Sequence, residues 1–292
     1  MKVFEMDLRL LVVEGNASQA REAQRAAFGK TPSQSYADTL HELAPDAICD
    51  LCFPADEGAI LPDSGGLESY DGVFATGSAL NLYDGGPAVS RQIELARAVF
   101  AAQVPFFGSC WGLQVATAAS AGEVRRNPLG REIGFARNIA PTEAGRGHPL
   151  LAGRPAAFDA PCSHLDIVAL PSQGAVALAA NANSPVQAAE IRYDGGIFWG
   201  VQYHPEFSFG EIAAIIEGRR ARLTLEGLFA QEEDALAYGA QLRALEADLD
   251  RRDIAWRLGL GAELTDKALR RTELRNFIDL RVRPEKSRRG RH

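Results

Sequence analysis

Gly108-Ser109-Cys110-Trp111-Gly112-Leu113-Gln114 is preceded by a short apolar run, Val104-Pro105-Phe106-Phe107, and followed by Val115-Ala116-Thr117-Ala118-Ala119. The first run suits a buried strand, and the last is rich in small, helix-compatible residues. The order is strand, sharp turn, helix, with a cysteine at the apex. Glycines two residues to either side leave room for the turn and for close packing, a thiol counterpart of the G-x-S-x-G elbow. Backbone N–H groups at a helix N-terminus favour negative charge on a nucleophile placed there. Taken alone, G-x-C-x-G reads as readily as a buried cysteine in a glycine-rich turn.

A second segment adds weight to the nucleophile. Phe198-Trp199-Gly200-Val201-Gln202-Tyr203-His204-Pro205-Glu206-Phe207 reads as a buried strand running into a loop. A nucleophilic cysteine needs a base to take its proton, and the base needs an orienting partner. His204 has that chemistry. Glu206, two residues on in extended chain, can share its face and hold the imidazole. Pro205 fixes its own φ and biases His204 toward an extended conformation.

The pair G-S-C-W-G-L-Q and G-V-Q-Y-H-P-E-F resembles the class I (triad-type) glutamine amidotransferases, the glutaminase module of several synthetases. Other stretches fall in the family's order: Tyr70–Ser78 resembles the strand and glycine turn beside the nucleophile. Ser163-His164-Leu165-Asp166 resembles its S-H-x-D loop, and Ser184–Ala188 the strand before the histidine. The match runs over roughly residues 8–209. It implies attack by Cys110 on the side-chain amide carbon of glutamine, with His204 as general base and then acid, and Glu206 orienting His204. The oxyanion would be held by backbone N–H groups of Trp111 and the Gly77 turn. Gln114 and the backbone around Ser163 and His164 would hold the α-amino and α-carboxylate groups. His164 and Asp166 read as readily as a loop satisfying its own backbone. Ser109 and Trp111 depart from the aliphatic residue and the Phe or Leu common at these positions. A bulky Trp111 at the pocket mouth would bear on substrate choice.

Composition agrees with an enzyme of this kind. A chain of 292 residues, 46% hydrophobic, can bury a full core as one large or two small domains. Its net charge of −7 gives no reason to expect nucleic-acid binding. No apolar run approaches the length of a membrane span. No basic segment followed by an apolar one marks a secretory signal, and four cysteines do not make a disulfide framework, so a cytoplasmic setting is expected. No cofactor or metal is expected.

Two motifs are set aside. Cys49-Asp50-Leu51-Cys52 lies in a strand-like run instead of at the helix start a redox motif needs, and no second pair completes a zinc site. Ser64-Gly65-Gly66-Leu67-Glu68-Ser69 resembles the phosphate loop of ATP pyrophosphatases. It follows a turn-like Ile60-Leu61-Pro62-Asp63, though, and leaves no room for a helix before the strand near Val73.

Strands at Leu8–Val13, Asp46–Phe53, Gly72–Thr76 and Val104–Phe107 alternate with helices at Ser18–Phe28 and about Val89–Ala102. That pattern predicts an α/β fold, a mainly parallel, flavodoxin-like central sheet flanked by helices. Ligands then bind at the carboxyl ends of the strands, where Gly77 and Cys110 fall. From about Ile133 to Val201 the pattern becomes strand-rich, with a hairpin at Asp194-Gly195-Gly196. Beyond the module, residues 1–209, a helical extension is expected over 210–280, from the spacing of Leu236, Leu242, Leu245 and Leu249. It would pack on the core or form a subunit interface, making a homo-oligomer. Residues 281–292 carry six Lys or Arg against one Glu and are expected to be disordered. The leading reading is a glutaminase that supplies ammonia to a separate synthetase subunit. A free-standing γ-glutamyl hydrolase or peptidase with the same triad is the first alternative, and a non-catalytic binding or regulatory relative the second.

Overall fold

A computed structural model describes residues 7–170 and 173–290. The first half alternates as the sequence predicts: β1 (Leu8–Val13), α1 (Ser18–Phe28), α2 (Pro32–Leu43), β2 (Ala47–Cys52), β3 (Gly72–Ala75), α3 (Pro87–Ala101), β4 (Phe106–Ser109) and α4 (Trp111–Ala119). A strand-rich stretch follows: β5 (Glu123–Arg126), β6 (Glu132–Pro141), β7 (Phe158–His164), β8 (Asp166–Ala169), β9 (Ala175–Ala180), β10 (Ala188–Tyr193) and β11 (Gly196–Val201). The turn between β10 and β11 has φ 47° at Asp194 and 79° at Gly195. Positive φ at both positions is the hairpin geometry that Asp-Gly favours. Cys49 and Cys52 lie on β2, and the Ser64–Ser69 loop carries only a 3-10 turn, Leu67–Ser69.

Among the described residues nine strands form one sheet, ordered β2-β1-β3-β4-β11-β10-β9-β6-β7. From β2 to β11 every neighbouring pair is parallel, and from β11 outward the pairs are antiparallel. The parallel part is the α/β core. It places the carboxyl ends of β3, β4 and β11 side by side, with Ala75 opposite Gly108 and Val201 opposite Ser109. Whatever leaves those three strands must meet in one crevice.

The chain after β11 is helical: α5 (Phe209–Gly218), α6 (Arg220–Leu225), α7 (Glu232–Ala247), α8 (Arg252–Leu258), α9 (Ala262–Thr265), α10 (Lys267–Arg270) and α11 (Thr272–Phe277), then a π-helical turn (Ile278–Val282) and α12 (Arg283–Arg288). Side chains of α5 and α7, among them Ile212, Leu242 and Leu245, pack with Phe135 of β6. Leu274, Phe277, Ile278 and Val282 enter the apolar cluster that holds Leu10, Val12, Phe74 and Phe107 under the sheet.

The expected disordered tail is helical over Arg283–Arg288. Its charges have fixed partners. Arg283 binds Asp46 through two nitrogens at 2.8 and 2.7 Å, and Lys286 Nζ donates to the Asp7 carbonyl at 2.8 Å. A basic run that meets complementary acceptors is ordered by them. Residues 291 and 292, and the first six residues on which a signal would be read, lie outside the described residues. Among the described residues, no helix is long and apolar enough to cross a membrane.

Candidate active site

Cys110 joins β4 to α4 with φ 52° and ψ −98°, outside the regions L-residues ordinarily occupy. Such a turn pushes its side chain out of the sheet end. Its N–H donates to the Val201 carbonyl at 2.7 Å. A Cβ on Gly108 would meet the Gly112 backbone at 2.7 Å, and one on Gly112 would meet the Ala75 carbonyl at 2.8 Å. Both glycines flanking the cysteine are therefore required by close backbone approach.

His204 and Glu206 leave the end of the adjacent β11. His204 Nδ1 is 2.7 Å from Glu206 Oε1, and the ring stacks on Phe207 at 3.8 Å between centroids, 3° from parallel. Gly77 packs against the same ring, where a Cβ would lie 2.6 Å from His204 Cε1. Burial opposes charge on the imidazole, but the Glu206 carboxylate and the neighbouring Cys110 outweigh it. The pKa of His204 is raised to about 10. Among the predicted residues, Cys110, His204 and Glu206 are thus brought together at one sheet end.

Two residues that sequence reasoning missed stand behind Glu206. Ser109 Oγ donates to Glu206 Oε2 at 2.9 Å, and the buried Tyr36 hydroxyl lies 3.2 Å from Ser109 Oγ. Burial and the charge of Glu206 push the Tyr36 phenol well above its usual value. Ser109 was visible only as a departure from an aliphatic position. Its hydroxyl gives the carboxylate's second oxygen a donor.

The site opens into two cavities. One, of about 320 Å³, receives Cys110 with Gln114, Ser163, Asp166 and several arginines. The other, of about 280 Å³, is bordered by His204 and Glu206 and by apolar side chains of α1, α2 and α5, including Ala27, Phe28, Pro32 and Ile215. Gln114 is 3% exposed, yet its amide has no side-chain hydrogen bond to any described residue. Gln114 borders the polar cavity. Ser163 turns its carbonyl toward Cys110 Sγ at 3.8 Å, while its hydroxyl accepts from Arg219 Nη1 at 3.1 Å.

The ring of His164 is occupied. Its Nε2 pairs with Glu132 at 2.8 Å and its Nδ1 with the Asp166 carbonyl at 3.1 Å. Only its backbone is left for a ligand. Trp111 corrects another expectation: its indole is buried (1% exposed) between α4 and α3, donating to Gln92 Oε1 at 2.7 Å, not at the pocket mouth. As the first residue of α4, it has an N–H with no intrahelical acceptor. Among the described residues, no group of three or more His, Cys, Asp or Glu is placed to hold a metal ion.

This fold brings a cysteine elbow to the same sheet end as a histidine–glutamate pair. The sequence matches the family Glutamine amidotransferase class-I over residues 56–218. It is 36% identical, over 225 residues, to a gamma-glutamyl-L-1-hydroxyisopropylamide hydrolase of a Pseudomonas species, covering 76% of this chain and 75% of that one. It is 33% identical over 128 residues to a glutamine-hydrolysing GMP synthase of Symbiobacterium thermophilum, covering 43% of this chain but only 24% of that enzyme. Against that synthase the chain spans about a quarter of the length. A glutamine amidotransferase of Thermotoga maritima shares the fold, with a TM-score of 0.64 at 17% identity over 94% of this chain and 99% of that one. The chain belongs to the class I glutamine amidotransferases and is an amide-hydrolysing enzyme.

Proposed function

We propose that this enzyme hydrolyses γ-glutamyl amides through a Cys110-His204-Glu206 triad, releasing an amine larger than ammonia. The observation that carries this reading is the division of the two cavities. Cys110 borders the polar one, whereas His204 and Glu206 border the apolar one. The acyl group would lie on the polar side, and the leaving nitrogen would sit beside the imidazole that must protonate it. The apolar side has room for an alkyl substituent on that nitrogen.

In this scheme His204 takes the proton of the Cys110 thiol, the sulfur attacks the amide carbon, and the carbonyl oxygen takes the charge. Gly77 and Trp111 would offer it their backbone N–H groups. The C–N bond breaks as the imidazolium proton passes to nitrogen, leaving a thioester. His204 then takes a proton from water as the water attacks, and glutamate and the free thiol are released. Glu206 orients and stabilises the imidazolium. Side chains and water suffice.

A second reading is glutamine hydrolysis with ammonia passed to a separate synthetase, favoured by the likeness to the glutaminase part of GMP synthase. The two are separated by glutamate release from L-glutamine and from γ-glutamyl amides of small alkylamines, with Cys110→Ala as control. We expect kcat/KM for an alkylamide to exceed that for glutamine, and the control to be inactive yet folded. A preference for glutamine would replace the first reading with the second.

A further inference from the structure

Arg219 lies at the junction of α5 and α6, one residue past the end of the family match. The helix that leads to it is anchored at its start. The N-terminus of α5 carries a capping box between Ser208 and Glu211, and Glu246 of α7 accepts from the Phe209 and Gly210 N–H groups at 2.8 and 3.3 Å. Its guanidinium borders the cavity that receives Cys110. The Ser163 hydroxyl is its one side-chain hydrogen-bond partner, and no carboxylate lies within ion-pair distance, among the described residues.

The neighbouring arginines differ. Arg131 Nε and Arg222 Nε both bind Glu226, at 2.8 and 2.7 Å, so two cations share one carboxylate. With Arg219, three arginines stand here against two carboxylates, Glu226 and Asp166. Burial, with Arg131 alongside, lowers the Arg219 pKa from its ordinary value. Arg219 is half-buried and has no carboxylate in ion-pair contact among the described residues, so its guanidinium is placed to meet the negative charge of a ligand. A planar guanidinium is suited to a carboxylate, which it can bind through two nitrogens. The same cavity also holds one acid, Asp166, and the unpartnered amide of Gln114. Cationic, acidic and amide groups in one cavity match the zwitterionic head of an amino acid.

We infer that Arg219 binds the α-carboxylate of the γ-glutamyl group and so selects substrates that carry one. This rests on the γ-glutamyl hydrolase reading. Arg219 also reaches the rim of the apolar cavity. Arg131 and Arg222 join it only on the Cys110 side, so the positive field is strongest where the acyl group would lie.

The test compares the intact enzyme with Arg219→Met and Arg219→Lys on two substrates, γ-glutamyl anilide and its analogue without the α-carboxylate, 4-aminobutanoyl anilide. Arg219→Met is expected to lower kcat/KM for the first roughly 10- to 100-fold, mainly through KM, the range for a lost charge-assisted bond. The analogue, poor throughout, should change little, and Arg219→Lys should fall between. An equal loss on both substrates would assign Arg219 a structural role and overturn the inference, as would no loss on either. Calorimetric binding of L-glutamate against 4-aminobutanoate, which needs no turnover, separates this failure from failure of the hydrolase reading. If neither anilide is cleaved, the hydrolase reading falls. The inference then stands only if L-glutamate binds the intact enzyme more tightly than 4-aminobutanoate and Arg219→Met removes that difference.

Discussion

Glu206 spends one oxygen on His204 and the other on Ser109, so the residue before Cys110 helps to aim the group beside the histidine. Ser109→Ala would leave Oε2 of a buried carboxylate without its donor, a loss of about 1–3 kcal/mol in holding that charge. A fall in kcat of about tenfold or more is expected, with the melting temperature lowered by a few degrees; undiminished kcat would show that Ser109 does not matter to Glu206. Glu206→Gln tests the charge itself. The carboxylate is the main influence raising His204 to about 10, so its removal lowers that pKa. The alkaline limb of kcat/KM, where the imidazolium proton is lost, should then move to lower pH along with a large fall in rate. A limb that stays in place would belong to another group. Cys110, His204 and Glu206 stand out as candidates in the sequence because each sits in a local pattern, an elbow or an i, i+2 pair. Ser109 and Tyr36 do not, because their contacts span 97 and 73 residues and only the register of β4 and β11 creates them.

Among the elements, those around the crevice read well from sequence, since alternation and glycine turns are local signals. The helix α2 was missed although its start carries a capping box, Thr31 to Gln34 with Pro32 at the first position. Its buried face mixes Ser33, Ser35 and Thr39 with Tyr36, Ala37 and Leu40, which blurs the apolar period. The contribution of α11 was hidden for a different reason. Glu273 looks like one more surface charge, yet it is fully buried. It takes two nitrogens of Arg154 at 2.6 Å each and the Tyr203 hydroxyl at 2.9 Å. Tyr203 immediately precedes His204, so α11 braces the end of the strand that delivers the imidazole. Glu273→Gln leaves the Arg154 guanidinium buried with no counter-charge, an expected loss of about 3–5 kcal/mol. Urea unfolding would read it. A change under about 1 kcal/mol would mean that the Arg154 charge does not depend on Glu273.

For the molecule as a whole, the sequence suggested divisions after residues 209 and 280, because the composition turns charged and helical there. What composition does not reveal is which surface an amphipathic helix covers. Phe277 lies 5.4 Å from Phe74, 5.3 Å from Phe107 and 5.8 Å from Trp199 between ring centroids, with Ile278 and Val282 beside it. Phe74 and Phe107 belong to β3 and β4, the strands that end at Gly77 and Cys110. The C-terminal helices are therefore packed into the core that carries the catalytic crevice, and α5 and α7 share a second cluster with β6. Cores shared in this way melt together. Scanning calorimetry of the intact chain should give one transition, with calorimetric and van't Hoff enthalpies in agreement and loss of activity on the same curve. A chain ended at Arg271 would uncover Phe74, Phe107 and Trp199 at once. At about 3–5 kcal/mol for one buried aromatic, it would forfeit most of a typical domain's net stability, so it should fail to fold. Two resolved transitions, or a truncated chain that keeps its activity, would instead make the C-terminal helices a separate unit resting on an independent α/β core.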